Sequence, residues 1–409
     1  MDRFTERLKA LSPAQRQELE RRLRERKSQA SVGENGNSAN PDFPVGDPLS
    51  PQRQMDFSLF FFSGDGSGNE TDKYHLLLEC ARFADRNNFT AVWTPERHFQ
   101  PFGGLYPNPS VLGAALAAVT ESVQIRAGSV ALPLHDPIRV AEEWSVVDNL
   151  SGGRVGISFA SGWHPADFAL APNAYERRKD LMFENIETIK RLWSGGTIGR
   201  KSVGGDDVEL RILPRPIQEQ LPIWITISQN PETWIRAGEI GANVLTAIVK
   251  QPFDVLSKKI ALYRDARSRY GFNPLAGRVA TMLHTFVGDD EQKVKNVVKP
   301  SLCRYFRGNL KQLEIQTDTY ARTSPGRHAV EAERITEEDL ESIAERAFER
   351  YYDTSLLCGT PAKCARLVDR LAAIGVNEIA CLVDFGPGFD EVMESLHHLN
   401  ILRQQYAHP

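Results

Sequence analysis

Three segments between Met55 and Trp163 decide the fold class: Phe57-Ser-Leu-Phe-Phe-Phe62, Ala91-Val-Trp-Thr-Pro-Glu-Arg-His-Phe99 and Val155-Gly-Ile-Ser-Phe-Ala-Ser-Gly-Trp163. Each begins with an apolar run typical of a buried strand and ends in charged or small polar residues. Helical patterns separate them, and Ile125-Arg-Ala-Gly-Ser129 is a further strand of the same kind. Strands that alternate with helices predict a parallel sheet. Functional residue types directly after the strands favour a (β/α)₈ barrel, which carries its active site there.

The rest of the chain continues the alternation. Helical spacing or helix-end signals predict helices over residues 72–88, 109–120, 137–150 and 178–193, and apolar runs predict strands over 221–227, 243–246, 278–286 and 378–384. Between about residues 289 and 358 the sequence is charged and mostly helical. A barrel needs only a short connection there, so we expect a helical insertion before the last strand, and such insertions often serve as lids.

The N-terminal residues have a different composition. Residues 1–27 contain Ser12-Pro13 and a narrow leucine stripe, which predicts a helical extension that is marginal alone. Two readings stay open for it: a helix that docks on a partner, and a frayed helix without one. Residues 28–54 are rich in Ser, Gly, Asn and Pro and predict a flexible linker. We therefore expect the catalytic domain to span residues 55–409.

Composition excludes several classes of protein. The net charge of −4 gives no basic footprint for nucleic acid, and no run approaches the length of a membrane span. The N-terminus lacks the apolar core of a signal peptide. Five scattered cysteines without a C-x-x-C pair argue against a disulfide framework, so the sequence predicts reduced thiols and a cytoplasmic protein. The histidines His284, His397 and His398 lack metal-ligand spacing, and we expect no metal site.

The sequence from Met55 to the final helix resembles the luciferase-like family of flavin-dependent monooxygenases. The resemblance rests on the order of the strand ends described above and on Glu96-Arg-His-Phe99, where luciferases proper have Glu-His-His-Phe. It implies a luciferase-like barrel and assigns catalytic roles to Glu96, Arg97 and His98. Since Arg97 replaces the histidine associated with the luciferase reaction, aldehyde oxidation and light emission do not carry over. A purely structural cluster at the barrel rim is the alternative for these residues.

The resemblance also implies a set of cofactor contacts. Ser129 would lie beside the flavin ring system, the turn Ala160-Ser161-Gly162-Trp163 would line the flavin and the substrate cavity, and Tyr175 would reach the phosphate. Ser228 and Gln229 follow an apolar strand and open a helix, where free backbone N–H groups favour a phosphate. The remaining predicted contacts lie at strand ends, at Phe62 and Thr246. For His135 and Asp136 we favour a turn followed by a helix N-cap.

The implied activity is FMN-dependent monooxygenation. Reduced FMN from a separate flavin reductase would react with O₂ through a C4a-hydroperoxide and oxygenate an organic substrate. The segments 96–99 and 160–165 and the N-terminal residues look most like the branch associated with natural-product assembly lines. That likeness implies an acyl or aminoacyl substrate, possible contact with a carrier protein or megasynthase, and a homodimer. Two alternatives stay open: hydride transfer with the deazaflavin F420, and a non-catalytic flavin-binding component.

Overall fold

A computed structural model describes residues 54–62, 72–248, 251–323 and 336–407. The predicted extension and almost all of the predicted linker lie outside these residues. The strands are β1 Asp56–Phe60, β2 Ala91–Thr94, β3 Gln124–Ala131, β4 Val155–Ala160, β5 Ile198–Lys201, β6 Asp207–Leu210, β7 Ile223–Thr226, β8 Asn243–Ala247, β9 Val279–Val287, β10 Leu357–Gly359 and β11 Glu378–Leu382. The helices are α1 His75–Arg86, α2 Pro109–Ala117, α3 Pro137–Ser151, α4 Arg178–Trp193, α5 Pro231–Glu239, α6 Phe253–Arg269, α7 Glu291–Thr323, α8 Glu337–Tyr352, α9 Pro361–Ala373 and α10 Phe389–Gln404.

Eight parallel strands close into a barrel in the order β1, β2, β3, β4, β7, β8, β9 and β11, and β11 pairs back with β1. In the pairing of β1 with β11, Phe60 lies opposite Leu382. In the pairing of β9 with β11, His284 also lies opposite Leu382. The predicted (β/α)₈ barrel is therefore confirmed. A short antiparallel hairpin of β5 and β6, which the sequence analysis did not predict, follows α4.

The predicted helical insertion consists of α7 and α8, which lie between β9 and β10. These helices share an apolar cluster with the end of β9, in which Phe286, Leu302 and Phe348 are buried. β10 pairs with the last residues of β9 and so extends that strand beyond the barrel. None of the helices in the described part of the chain has the length and apolarity that crossing a bilayer requires.

Large side chains fill the interior of the barrel near the amino-terminal ends of its strands. The Arg126 guanidinium lies between two indoles, 4.8 Å from the ring centre of Trp93 and 4.3 Å from that of Trp224. Its Nη1 donates to both carboxylate oxygens of Glu378, at 3.0 and 2.9 Å. Trp93 and Phe60 belong to the buried interior cluster. These aromatic residues therefore fill the barrel rather than line a binding site.

Candidate active site

The inward-facing residues at the carboxyl ends of the strands form a mouth with two unlike halves. Along each strand, alternate residues face the interior. The last inward-facing residues therefore form a ring of side chains on the carboxyl-terminal side of the filled part of the barrel. On β3 and β4 and just after β7 the ring residues are small, namely Gly128, Ala160 and Ser228. On β9 and just after β11 and β1 they are His284, Asp384 and Phe62. One half is therefore lined by small residues, with the Phe60 and Trp93 rings packed against Gly128, and the other half is aromatic and polar.

A hydrogen-bonded cluster joins the ends of β2 and β3. Glu96 is buried, and its Oε1 accepts hydrogen bonds from Nε2 of His98 at 2.7 Å and from Nε2 of His135 at 2.6 Å. Its Oε2 accepts from the backbone N–H of Ala131 at 2.8 Å. The side chain of His135 is 33% exposed, against 12% for His98. The predicted turn at His135 therefore has a second role, since its imidazole fixes Glu96, while Asp136 is the N-cap of α3 as predicted.

The electrostatics of this cluster favour a charged Glu96. Burial raises the pKa of Glu96, but the hydrogen bonds from His135, His98 and Ala131 outweigh burial and hold this pKa below its usual range. Burial lowers the pKa of His135, but the Glu96 carboxylate reverses that effect and raises it overall. The cluster can therefore hold a proton on a histidine beside a fixed negative charge.

Glu96, His98 and His135 form the only group among the described residues in which three potential metal ligands lie close together. Their polar atoms are 2.6 and 2.7 Å apart, which are hydrogen-bond distances. Two ligands held at about 2.0–2.1 Å in a tetrahedron would lie roughly 3.3 Å apart. The geometry is therefore that of a hydrogen-bonded carboxylate, although the sequence spacing gave no hint that these residues meet.

We expect Glu96→Gln to lower the free energy of unfolding at pH 7 by about 1.5–3 kcal/mol, because hydrogen bonds to a charged group are lost. The folded-state pKa of Glu96 is depressed, so its stabilisation is present above its unfolded pKa and is lost as the pH falls through the folded pKa. The difference in the free energy of unfolding between parent and variant should therefore be smaller at acidic pH. Urea denaturation at pH 7 and pH 4 measures it, and a gap that is equal at both pH values would contradict the argument.

Arg97 lies beside this cluster but is held by other groups. It is 2% exposed, donates from Nη1 to Asp167 Oδ2 at 2.7 Å, and lies 4.7 Å from the ring centre of Trp163. These contacts join the loop after β2 to the loop after β4. Asp167 also faces His164, whose pKa burial and the Arg97 charge lower to about 4. Arg97 thus positions the two loops, and the sequence analysis did not foresee Asp167 as its partner.

The predicted cofactor turn after β4 lies at the mouth. Ser161 and Gly162 are half-buried, and Trp163 is exposed. Farther along, Tyr175 packs against Phe168, and the Arg178 guanidinium lies 4.3 Å from the Tyr175 ring centre. Arg178 is thus a cation at the start of α4 that the sequence analysis did not single out. The neighbouring Arg177 pairs with Glu184 instead.

Ser228 does not cap α5. The N-cap is Asn230, whose side chain accepts from the backbone N–H of Glu232, and Pro231 follows at the first helical position. Ser228 and Gln229 are exposed just before it, so the Ser228 hydroxyl is available to a ligand. Thr246 is buried on the same face of β8 as Val244, which packs in the layer between the barrel and the helices. Its side chain therefore faces away from the mouth.

The comparisons with known proteins identify the family. The model of the luciferase-like monooxygenases matches residues 55–378, well over half of the chain. The chain belongs to this family. As a luciferase-like monooxygenase it is an enzyme. The oxygenase component of the flavin-dependent trigonelline monooxygenase of Acinetobacter baylyi is 28% identical over 244 residues, which are 58% of this chain and 66% of that protein.

Solved structures share the fold of this luciferase-like enzyme. The monooxygenase RslO1 of Streptomyces bottropensis superposes with a TM-score of 0.68 at 22% identity over 86% of this chain and all of that one. The FMN complex of the oxygenating constituent of 3,6-diketocamphane monooxygenase of Pseudomonas putida gives 0.67 at 18% identity over 87% and 98%. An F420-dependent secondary alcohol dehydrogenase gives 0.64 at 14% identity over 87% and 100%. At these identities the likeness concerns the fold alone.

Proposed function

We propose that the protein is the oxygenase component of a two-component FMN monooxygenase. The observation that carries the proposal is the small-residue half of the mouth. Ala160 and Ser228 are small and accessible, which favours a flat ring system there, and the half-buried Ser129 precedes the end of β3. The Phe60 and Trp93 rings fill the space beside Gly128. The Ser228 hydroxyl and the Tyr175–Arg178 pair offer polar groups to a phosphate. When bound, reduced FMN would react with O₂ and pass one oxygen atom to the substrate.

The residues of the chain would support that chemistry by orienting groups and by handling a proton. Glu96 fixes the imidazole of His98 through its Nε2, so Nδ1 is the nitrogen we assign to proton exchange with a reacting group. Arg97 and Asp167 hold the Trp163 loop in place. Trp163 and the aromatic half of the mouth would limit the access of water, which matters because water diverts oxygen chemistry toward peroxide.

Rapid mixing of the protein, loaded with reduced FMN, with oxygenated buffer tests this function. We expect a transient absorbance that differs from those of reduced and oxidised FMN. Direct conversion to oxidised FMN at the rate of free FMN would contradict the proposal. If the protein instead reduces F420 with a secondary alcohol, the second candidate, an F420-dependent oxidoreductase, is correct; the shared fold of the F420 dehydrogenase supports that candidate.

Replacing Ser228 with Ala tests the phosphate end of the site. We expect FMN to bind about fivefold or more weakly, which is the effect of losing a hydrogen bond worth about 1 kcal/mol or more. Fluorescence titration measures the affinity. Ser268→Ala, at an exposed serine in the last turn of α6, is the matched control and should bind FMN as the parent does. Equal affinities for Ser228→Ala and the parent would remove Ser228 from the site.

The remaining parts of the proposal concern partners. The likeness to an oxygenase component supports a separate flavin reductase. We propose an acyl or aminoacyl substrate, carried by an assembly-line carrier protein that docks at residues 1–27. Exposed apolar side chains on α2 and α3, Val111, Val146 and Leu150, support a homodimer. All five cysteines are free and buried, which supports residence in the reducing cytoplasm.

A further inference from the structure

The aromatic half of the mouth contains a buried histidine with unused hydrogen-bonding capacity. His284 is 3% exposed, and neither of its ring nitrogens has a hydrogen-bond partner among the described residues. It follows Ala280 and Met282 along the inner face of β9, both of which belong to or pack against the interior cluster. The alternation of the strand therefore directs His284 into the mouth rather than toward the outer helices.

Uncharged rings surround His284. The ring centres of Tyr305, Phe306 and Phe385 lie 4.7, 6.0 and 5.5 Å from that of His284. Phe102 lies 4.8 Å from Tyr305 and 5.3 Å from Phe62, so the aromatic wall continues to β1. This wall includes side chains from the insertion helix α7, from β9 and from the three loops that follow β1, β2 and β11. Its aromatic rings and its one polar imidazole have the chemistry of a site for a flat organic molecule.

The hydrogen-bonding capacity of His284 indicates what such a molecule carries. A buried polar group without a partner costs free energy that a ligand can restore by supplying the missing hydrogen bonds. Burial lowers the pKa of His284 to about 3, so the imidazole is neutral and offers one donor and one acceptor. An amide or a hydroxyl group has the matching pair of a donor and an acceptor.

The charge nearby disfavours an ionic ligand. The Asp384 carboxylate accepts from the backbone N–H of Phe62 at 2.8 and 3.0 Å and from the Tyr106 hydroxyl at 2.7 Å. An anion would meet this negative charge. A cation would have to give up its hydration among the uncharged rings around His284, whose neutral imidazole offers it no opposite charge.

We infer that the β9, β11 and β1 half of the mouth binds the organic substrate, and that His284 hydrogen-bonds an uncharged amide or hydroxyl group on a flat, aromatic part of it. The inference rests on the proposed function, because that function assigns the small-residue half of the mouth to the flavin. His284 is thus a specificity-determining residue, and its role is separate from proton exchange at His98.

Three probes of equal shape and different charge test the inference: benzamide, benzoate and benzamidine. Each is titrated into the flavin-free protein and the FMN-loaded protein, with ¹⁵N-labelled histidine observed by NMR. We expect benzamide to bind at least tenfold more tightly than either ion and to shift the imidazole signals of His284. His284→Phe should lose at least tenfold in benzamide affinity, while His284→Gln should retain part of it because its amide also donates and accepts. His397→Phe, on the exposed face of α10, is the matched control.

Three results would overturn the inference: tighter binding of benzoate or benzamidine, equal benzamide affinity in His284→Phe and the parent, or no binding of any probe. Thermal unfolding checks that both His284 variants are folded, and the glutamine variant keeps the test decisive if the phenylalanine variant is not. An FMN titration of the parent separates the two proposals. Selectivity for benzamide without FMN binding contradicts the proposed function alone, whereas FMN binding without that selectivity contradicts this inference alone.

Discussion

Glu378→Gln is expected to lower the free energy of unfolding by about 3 kcal/mol or more, because the buried Arg126 guanidinium loses the charge that compensates it. Glu378 is fully buried, and its carboxylate also accepts from the Ser58 hydroxyl at 2.6 Å and from Trp93 Nε1 at 3.2 Å. Burial raises the pKa of Glu378, but the charges of Arg126 and Arg278 outweigh burial and keep it low. The interior of the barrel therefore depends on one ionised pair.

Urea denaturation measures this effect, and two further variants give it meaning. In Arg126→Met/Glu378→Leu neither charge remains buried alone, so this double variant should be more stable than Glu378→Gln. Glu184→Gln breaks the exposed pair with Arg177, 2.9 Å apart, and should change the free energy of unfolding by about 0.5 kcal/mol or less. A Glu378→Gln protein as stable as the Glu184→Gln protein would show that the buried pair contributes little.

The second large expected effect is the loss of folding stability at acidic pH that His284 causes. His284 is neutral in the folded protein because burial lowers its pKa from 6.5 to about 3, whereas the unfolded chain binds a proton near the ordinary value. The unfolded state thus holds more protons between these two pKa values, so the free energy of unfolding falls as the pH falls through this window. Between pH 7 and pH 4.5 His284 alone should cost about 2.5 kcal/mol.

His284→Phe should remove that part of the acid sensitivity while keeping a ring among Tyr305, Phe306 and Phe385. At pH 7 the variant should be as stable as the parent or slightly more so, since an unpartnered polar group is replaced by an apolar one of similar shape. Denaturation curves at pH 7 and pH 4.5 give the comparison, with His397→Phe as the control. Equal acid losses in the parent and in His284→Phe would mean that His284 is protonated in the folded state.

Most of the fold could be predicted from local sequence. Strand ends and helices followed from apolar runs and periodicity, and the predicted helix over 178–193 has the bounds of α4. The β5–β6 hairpin was missed because β5 contains Gly199 and Lys201 and has no apolar alternation, and the alternation of β6 covers only four residues. The N-cap of α5 could have been placed at Asn230, since the following Pro231 is a first-turn signal.

The site could be predicted only as a set of positions along the chain. That Glu96, Arg97 and His98 follow β2 was visible, but the partners that define their roles are distant in sequence. His135 is 39 residues from Glu96, and Asp167 is 70 residues from Arg97. His284 had been considered only as a metal ligand, because neither its burial nor its missing partners can be seen in the sequence. Contacts across strands fix chemistry that spacing along one strand cannot.

The packed side chains of Arg126, Trp93 and Trp224 affect the route by which ligands enter and leave the barrel. They fill the barrel interior near the amino-terminal ends of its strands, so we expect molecules bound at the mouth to enter and leave on the carboxyl-terminal side. If two molecules bind at the mouth together, the one bound deeper can be exchanged only after the outer one has dissociated. The order of entry therefore dictates the order of departure.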